Sequence, residues 1–152
     1  MKSKQTEFVI FDTETTGLSV TNGDRILEIA AIRIKNGEIL DRFESFINPE
    51  RSIPESVQNI HGITKNIVKN APKSEEILPE FLHFIGGSCL IGHNVKFDLD
   101  FLCYQLSLIS RKLKNETPAI DTLKMAKYFL PHLSTYTLSS VALSFGVKIK
   151  ET

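Results

Sequence analysis

A ten-residue stretch near the N-terminus constrains the fold more than any other part of the chain. Residues 8–17 read Phe-Val-Ile-Phe-Asp-Thr-Glu-Thr-Thr-Gly, so an apolar run leads directly into Asp12 and Glu14. Such a run is typical of a buried strand, and residues i and i+2 of a strand project from one face. The two carboxylates repel each other unless a cation or a proton lies between them, and oxygen ligands favour Mg²⁺ or Mn²⁺ over zinc. A solvated strand end followed by a polar turn remains the alternative.

The size and charge of the chain limit what this stretch can belong to. A length of 152 residues fits one domain with a real core. The 18 basic and 18 acidic residues cancel, which argues against nucleic-acid binding by a broad cationic surface. A nucleic-acid ligand would then require metal ions as the local positive charge.

Targeting signals are absent from the sequence. The two cysteines are too few for a disulfide framework, and residues 1–6 contain no apolar signal core. No apolar run approaches the roughly 20 residues of a membrane span. We therefore predict a cytoplasmic location and no membrane partner.

Hydrophobic periodicity predicts an alternation of strands and helices. Strands over 25–35 and 38–47, joined by a type I′ turn at Asn36-Gly37, form an antiparallel three-strand meander with the first strand. A short helical turn is expected before residue 60. The remaining predicted elements are a helix over 73–85, a strand over 89–92, a helix over 97–110 with a core stripe of Phe97, Phe101, Tyr104 and Leu108, a strand over 118–121, and helices over 122–129 and 137–145. This order predicts an α/β fold with a mixed sheet, a meander plus parallel strands, flanked by helices.

Asp98 is the third acid of interest. It falls in the first turn of a predicted helix directly after a buried strand, where open α/β folds build their sites. The helix dipole alone also favours an acid there, which explains Asp98 or Asp100 individually. It does not explain their combination with Asp12 and Glu14.

Four segments in this order and spacing resemble one family. They are residues 11–17 (Phe-Asp-Thr-Glu-Thr-Thr-Gly), 60–63 (Ile-His-Gly-Ile), 92–98 (Gly-His-Asn-Val-Lys-Phe-Asp) and 120–123 (Ile-Asp-Thr-Leu). Together they resemble the DnaQ-like 3′→5′ exonucleases of the DEDD group, His-type, which have an RNase H-like sheet. In particular the chain is similar to the exonucleases of DNA polymerase III, the epsilon subunit and the PolC exonuclease domain. The resemblance implies an N-terminal tail over 1–6 and an exonuclease domain over 7–152.

The resemblance also implies roles for individual residues. Asp12 corresponds to the ligand that bridges two Mg²⁺ or Mn²⁺ ions, Glu14 to a ligand of the ion that holds the attacking water, and Asp98 to the third acid. The implied reaction is hydrolysis of the last phosphodiester at a 3′ end of DNA or RNA, in proofreading or repair, with a DNA polymerase subunit as a further partner. Two ions about 3.5 to 4 Å apart stabilise the attacking and leaving oxygens in such sites. The residues that fall where the family holds its terminal nucleotide are Thr15, Leu18, Ile60, His61 and Phe97.

The sequence departs from the family at its last motif. No His-x4-Asp or Tyr-x3-Asp follows Asp98, although this motif supplies the general base and the fourth acid in the family. We expect a domain truncated before its last helix, with an apolar patch left near residues 147–152. The alternative is a non-catalytic module that binds a nucleic-acid end or a polymerase. An RNase H-type endonuclease shares the sheet and the acids, but His61 and Phe97 suit a free terminal base.

Three further residues have structural explanations. His93 and Asn94 are expected to shape the strand-to-helix turn rather than to touch substrate. Asp121 is expected to cap the helix that starts at Thr122, and a supporting role beside the metals is the alternative.

Overall fold

The computed structural model describes residues 6–148. The predicted 1–6 tail is therefore described only at Thr6, and residues 149–152 lie outside the described part. In the described part the strands are β1 Phe8–Thr15, β2 Ile26–Lys35, β3 Glu38–Phe46, β4 Cys89–Gly92 and β5 Ala119–Asp121. The helices are α1 Glu55–His61, α2 Lys65–Val68, α3 Ser74–Ile85, α4 Val95–Leu108, α5 Thr122–Phe129 and α6 Leu138–Ser144, with a 3₁₀ turn over Val20–Asn22.

The five strands form one mixed sheet in the order β3-β2-β1-β4-β5. The pairs β1–β2 and β2–β3 are antiparallel, whereas β1–β4 and β4–β5 are parallel. Asn36 and Gly37 both have positive φ, as a type I′ turn requires. The predicted meander plus parallel strands is confirmed.

One face of the sheet carries the main core. Val9 and Phe11 of β1 lie on this face, and α3 contributes Phe81, which is fully buried and packs at 5.8 Å from the Phe11 ring. Phe101 and Leu102 of α4 complete the centre of the same cluster. Helices α3 and α4 therefore fix the position of the sheet's inner face.

The opposite face is less covered. Ile10, Ile32 and Ile91 line a shallow apolar depression of about 260 Å³ whose far side is Leu138 of α6. Further apolar side chains towards the C-terminal end are exposed: Leu143, Phe145 and Val147. The patch expected near residues 147–152 lies mostly outside the described residues and stays a prediction. The site acids Asp12 and Glu14 lie on this same, more open face, because they alternate with Phe11 and Thr13 along β1.

Three details of the prediction are wrong. Helix α4 begins at Val95 rather than at residue 97, and its buried stripe contains Leu102 and Leu106 in place of Tyr104 and Leu108. Leu108 is exposed, and Tyr104 lies at the surface, where the Arg25 guanidinium stacks over its ring at 5.2 Å. The short helix α2 was not anticipated.

No helix in residues 6–148 is both long and apolar enough to cross a bilayer. The predicted cytoplasmic location remains a prediction.

Candidate active site

The acid-bearing end of β1 extends past one of its neighbours. β2 pairs with β1 as far as Thr15, with a register shift between Glu14 and Thr15, whereas β4 pairs with β1 only as far as Ile10. Asp12 is exposed and Glu14 is half-buried on this extension. Partial desolvation by the surrounding protein raises the pKa of both carboxyls, and the charge of Asp12 raises the pKa of Glu14 further.

Asp98 provides the hydrogen-bond acceptor for β1 at the point where the neighbouring strand β4 has ended. Its Oδ1 accepts hydrogen bonds from the Thr13 backbone N–H at 3.0 Å and from Thr13 Oγ1 at 2.7 Å. An unpaired N–H at this buried position would cost about 1–3 kcal/mol, so the carboxylate continues the sheet's hydrogen bonding where β4 has ended. A helix residue is thereby fixed to the middle of the Asp12-Thr13-Glu14 segment.

Burial dominates the chemistry of Asp98. The side chain is 3% exposed, and this burial raises its pKa to about 6, with the charge of Asp12 acting in the same direction. The hydrogen bonds from Thr13 oppose the shift but do not cancel it. Asp98 therefore titrates closer to neutrality than an ordinary aspartate.

The hydrogen bonds of Thr13 bring Asp98 beside the segment that carries Asp12 and Glu14. Asp12 raises the pKa of Glu14 and the pKa of Asp98. Within residues 6–148, however, no group of three or more His, Cys, Asp or Glu side chains stands in an arrangement that could hold a metal ion. Asp98 Oδ1 accepts both hydrogen bonds from Thr13, so this oxygen is engaged within the protein.

The start of α4 is positioned by a residue from β5. Asn94 adopts a left-handed backbone conformation, φ 66°, directly before the helix. Its N–H donates to Asp121 Oδ1 at 3.0 Å, and the same oxygen accepts from Leu123 N–H at 3.0 Å and Lys124 N–H at 3.4 Å. The prediction that Asp121 caps a helix is confirmed, and the same carboxylate also orients the helix that carries Asp98.

His93 is held by two hydrogen bonds. Its Nδ1 lies 3.0 Å from Thr122 Oγ1, and its Nε2 donates to the Tyr136 carbonyl oxygen at 2.7 Å. The histidine thus joins the β4–α4 turn to α5 and to the segment before α6, in agreement with the expected structural role. Its charge also lowers the pKa of Asp12, against the larger effect of burial.

The five residues predicted to hold the nucleotide differ in how exposed their side chains are and in the contacts they already make. Leu18 is 87% exposed and Ile60 is 82% exposed, so both offer apolar surface. Phe97 is half-buried and packs against Phe101 with ring centroids 4.9 Å apart. Thr15 is buried, and its hydroxyl donates to the Gly17 carbonyl oxygen at 2.6 Å. His61 is half-buried at the end of α1, where its Nδ1 accepts from Ile63 N–H at 3.0 Å.

The loop that follows β1 is held together by contacts with the side chain of Asp24. This buried acid accepts from Thr16 Oγ1 and from Ser19 N–H, each at 3.2 Å, and pairs with Arg51 at 3.2 Å. A Cβ on Gly17 would lie 2.2 Å from Asp24 Oδ2, so only glycine allows this close approach. The loop that presents Leu18 is therefore fixed at its base.

Sequence reasoning missed two residues of the site. Thr13 was given no role, although it binds Asp98 through both its N–H and its hydroxyl. Glu28 lies directly opposite Glu14 in the β1–β2 pair. A usable signal existed for Glu28, since it is an acid inside the apolar run Ile26-Leu27-Glu28-Ile29.

Fold and site together define an α/β nuclease with an acidic centre at the end of the sheet. The family model described as "Exonuclease" (RNase_T) matches residues 9–152, and the chain belongs to this family of enzymes. The predicted resemblance to the exonucleases is thereby confirmed. The family generally uses divalent metal ions.

Relatives by sequence carry the name DNA polymerase III PolC-type. The chain is 40% identical over 144 residues to that of Clostridium perfringens and 36% identical over 146 residues to that of Bacillus subtilis. A further relative in Caldanaerobacter subterraneus is 41% identical over 147 residues. These matches cover 95%, 95% and 97% of this chain but only 10% of each relative, so the chain spans about a tenth of their length.

Solved structures agree on the fold. Exonuclease X in complex with 5′ overhanging duplex DNA superposes with a TM-score of 0.74 at 26% identity, covering 95% of this chain and 76% of that one. A product-bound exonuclease I gives a TM-score of 0.82 at 19% identity, covering 95% of this chain and 39% of that one. The RNase H-like mixed sheet predicted from the sequence is confirmed.

Proposed function

We propose that this chain is a divalent-metal-dependent 3′→5′ exonuclease domain of the proofreading or repair type. It removes nucleoside monophosphates from DNA or RNA 3′ ends, with two Mg²⁺ or Mn²⁺ ions held by Asp12, Glu14 and Asp98. The names of its relatives support a DNA polymerase as the partner. The observation that carries the proposal is the pair of hydrogen bonds that fixes Asp98 to Thr13, the residue between Asp12 and Glu14.

The donor set fits hard divalent cations in its chemistry. All three side chains offer oxygen only, and the pKa of each is raised by burial, so a cation would relieve a real electrostatic cost. Both Thr13 hydrogen bonds go to Asp98 Oδ1, and Oδ2 takes part in neither. When bound, such ions neutralise the substrate phosphate and activate water.

The chain's other residues bind and orient the terminal nucleotide. Leu18 and Ile60 offer exposed apolar side chains for contact with a base, and the accessible part of Phe97 offers a ring. Thr15 acts indirectly, because its hydroxyl is used to hold Gly17 and thus the loop before Leu18. The fifth of these residues, His61, has a buried Nε2 with no hydrogen-bond partner among residues 6–148.

A general base is not evident among these residues. His93 lies near Asp12, but its Nε2 donates to Tyr136 and its Nδ1 lies beside Thr122. A histidine held in this way is a poor acceptor for a water proton. Since a positioned base typically contributes about 10²- to 10⁴-fold, we expect slow hydrolysis by this chain.

A labelled oligonucleotide tests the proposal. A 5′-labelled single strand is incubated with the protein in Mn²⁺, Mg²⁺ or EDTA, and the products are resolved by length, with released nucleotides identified as 5′-monophosphates. Stepwise shortening from the 3′ end should require metal and should be lost in Asp12→Asn. The variant Asp100→Asn, on an exposed position of α4, serves as the matched control.

The outcomes separate the candidates. Internal cuts would favour an endonuclease, and binding of 3′ ends without cleavage would favour the non-catalytic module. Shortening that persists in EDTA or in Asp12→Asn would refute the metal site.

A further inference from the structure

A polar cavity of about 390 Å³ lies between the segment that follows β3 and the short helix α2. It is lined by residues 48–52 and by Lys65, Val68 and Lys69. Three of the lining side chains are cationic, namely Arg51, Lys65 and Lys69, and we call this cavity the basic groove. The whole chain has no net charge, so three cations around one cavity are a local concentration of positive charge.

The protein does not balance the two lysine charges of the basic groove. Lys65 and Lys69 are exposed, and neither forms an ion pair with any of the described residues. The acid among the lining residues, Glu50, is already paired with Lys73 at 2.5 Å. The two lysines are also four residues apart on α2, a spacing at which like charges destabilise a helix. Their charges therefore do not serve the stability of the fold.

The helix that carries the lysines is fixed to the rest of the protein. Val68 is 1% exposed and belongs to a small core cluster with Leu27, Ile53 and Ile63. On the other side of the basic groove, Asn48 Nδ2 donates to the Lys69 carbonyl oxygen at 3.1 Å. A ligand that binds here does not have to order the backbone first, which lowers the entropic cost of binding.

The basic groove adjoins the proposed nucleotide-binding residues on two sides. Arg51 Nη1 pairs with Asp24 Oδ1 at 3.2 Å, and Asp24 holds the base of the loop that presents Leu18. Helix α1 ends at His61, and α2 begins at Lys65 after three residues. A nucleic-acid strand whose last nucleotide lies against Leu18 and His61 therefore has the basic groove next to it.

We propose that the basic groove binds the phosphodiester backbone of the substrate strand on the 5′ side of its terminal nucleotide, chiefly through Lys65 and Lys69. The proposal rests on the proposed function, which brings a 3′ end to the acidic centre. Each phosphate of the strand carries a negative charge, and lysine side chains neutralise such charges without reading the base sequence. The groove thus supplies affinity for the strand and takes no part in the chemistry.

Fluorescence anisotropy with the whole chain tests this role. The probe is a 5′-labelled oligothymidylate of about twelve nucleotides in EDTA, which prevents metal-dependent hydrolysis during the measurement. Affinity for a single strand depends on salt with a logarithmic slope of about −0.7 for each phosphate contact. Lys65→Gln and Lys69→Gln should each reduce the steepness of this slope by about 0.7 and weaken binding about eightfold at 50 mM salt and about fourfold at 150 mM salt.

Two controls separate a local contact from the overall charge. The double variant Lys112→Gln/Lys114→Gln removes two exposed cations after α4, near Ser88 at the start of β4 and away from the acid-bearing end of the sheet, and should bind like the wild type. Glu50→Gln removes the acid of the basic groove and should bind the oligonucleotide more tightly. Thermal unfolding should be unchanged in Lys65→Gln/Lys69→Gln, because neither lysine forms an ion pair among the described residues.

The possible results decide between the groove and its alternatives. Wild-type affinity and salt slope in Lys65→Gln/Lys69→Gln would overturn the inference and would leave an acidic protein surface as the better occupant. An equal loss in Lys112→Gln/Lys114→Gln would overturn it as well, because the effect would then come from the overall charge. The proposed function is tested separately by metal-dependent shortening. If the lysine variants weaken binding but no shortening occurs in Mn²⁺, the groove is supported and the proposed hydrolysis fails.

Discussion

A substitution at a functional site is usually expected to destabilise a protein, but replacing Asp98 by asparagine should stabilise this one. The pKa of Asp98 is raised by burial from 3.8 to about 6 in the folded protein. At about 1.4 kcal/mol per pKa unit, ionising this buried group in the folded state costs about 3 kcal/mol. Asparagine keeps an oxygen for the two Thr13 donors but carries no charge.

The sign of the pH dependence follows from the direction of the shift. Because the folded-state pKa is raised, proton binding by Asp98 favours the folded state fully below pH 3.8, and this contribution is lost as the pH rises through about 6. Asp98→Asn should therefore match the wild type near pH 4 and exceed it by up to about 3 kcal/mol near pH 8.

Urea unfolding in EDTA at a series of pH values measures this difference. The free energy of unfolding of the variant minus that of the wild type should rise between pH 4 and pH 7. Asp100→Asn, which breaks an exposed pair with Lys96 on the same helix, should change stability by less than about 1 kcal/mol at any pH. A difference that does not vary with pH, or an Asp98→Asn variant that is less stable than the wild type at pH 8, would refute the conclusion that burial dominates the pKa of Asp98.

Three further outcomes are expected. Mn²⁺ at 100 times its dissociation constant should raise stability by about 2.7 kcal/mol, seen as a higher unfolding temperature, and an equal rise in Asp12→Ala would exclude Asp12 as a ligand. Gly17→Ala should destabilise by at least about 1 kcal/mol in urea unfolding, because its Cβ would lie 2.2 Å from Asp24, whereas Gly87→Ala meets nothing within 4 Å and should be neutral. Without a His-x4-Asp after Asp98, 3′-end hydrolysis should be about 10²- to 10⁴-fold slower than catalysis with a positioned base. Fast single-turnover cleavage that Asp98→Asn abolishes would show that another residue serves as the base.

The strands could be predicted from the sequence because their signals are local. Asn36-Gly37 specifies its turn, and the apolar run into Asp12 specifies β1 and the face on which the acids lie. The start of α4 was misplaced by two residues, because Asn94 adopts a left-handed conformation that is stabilised by Asp121, 27 positions away.

The chemistry of the site depends on contacts that no local pattern contains. Thr13 and Asp98 are 85 positions apart, and their hydrogen bonds decide which oxygen of Asp98 is engaged. The resemblance placed Asp98 beside Asp12, but it did not reveal that the acid also completes the sheet. Glu28 was visible as a charge in an apolar strand, yet its position opposite Glu14 follows only from the pairing of β2 with β1.

The bond between Asp98 and Thr13 also changes how variants at position 98 can be interpreted. Alanine there would remove a negative charge and, at the same time, expose the edge of β1 without any acceptor for its N–H. A loss of activity in the alanine variant would not distinguish lost chemistry from misfolding. Glutamate is no better as a comparison, because its side chain is longer than that of aspartate. Only a residue that is isosteric with aspartate separates these two effects. The backbone of the neighbouring strand therefore limits which residues position 98 tolerates, before any substrate is bound.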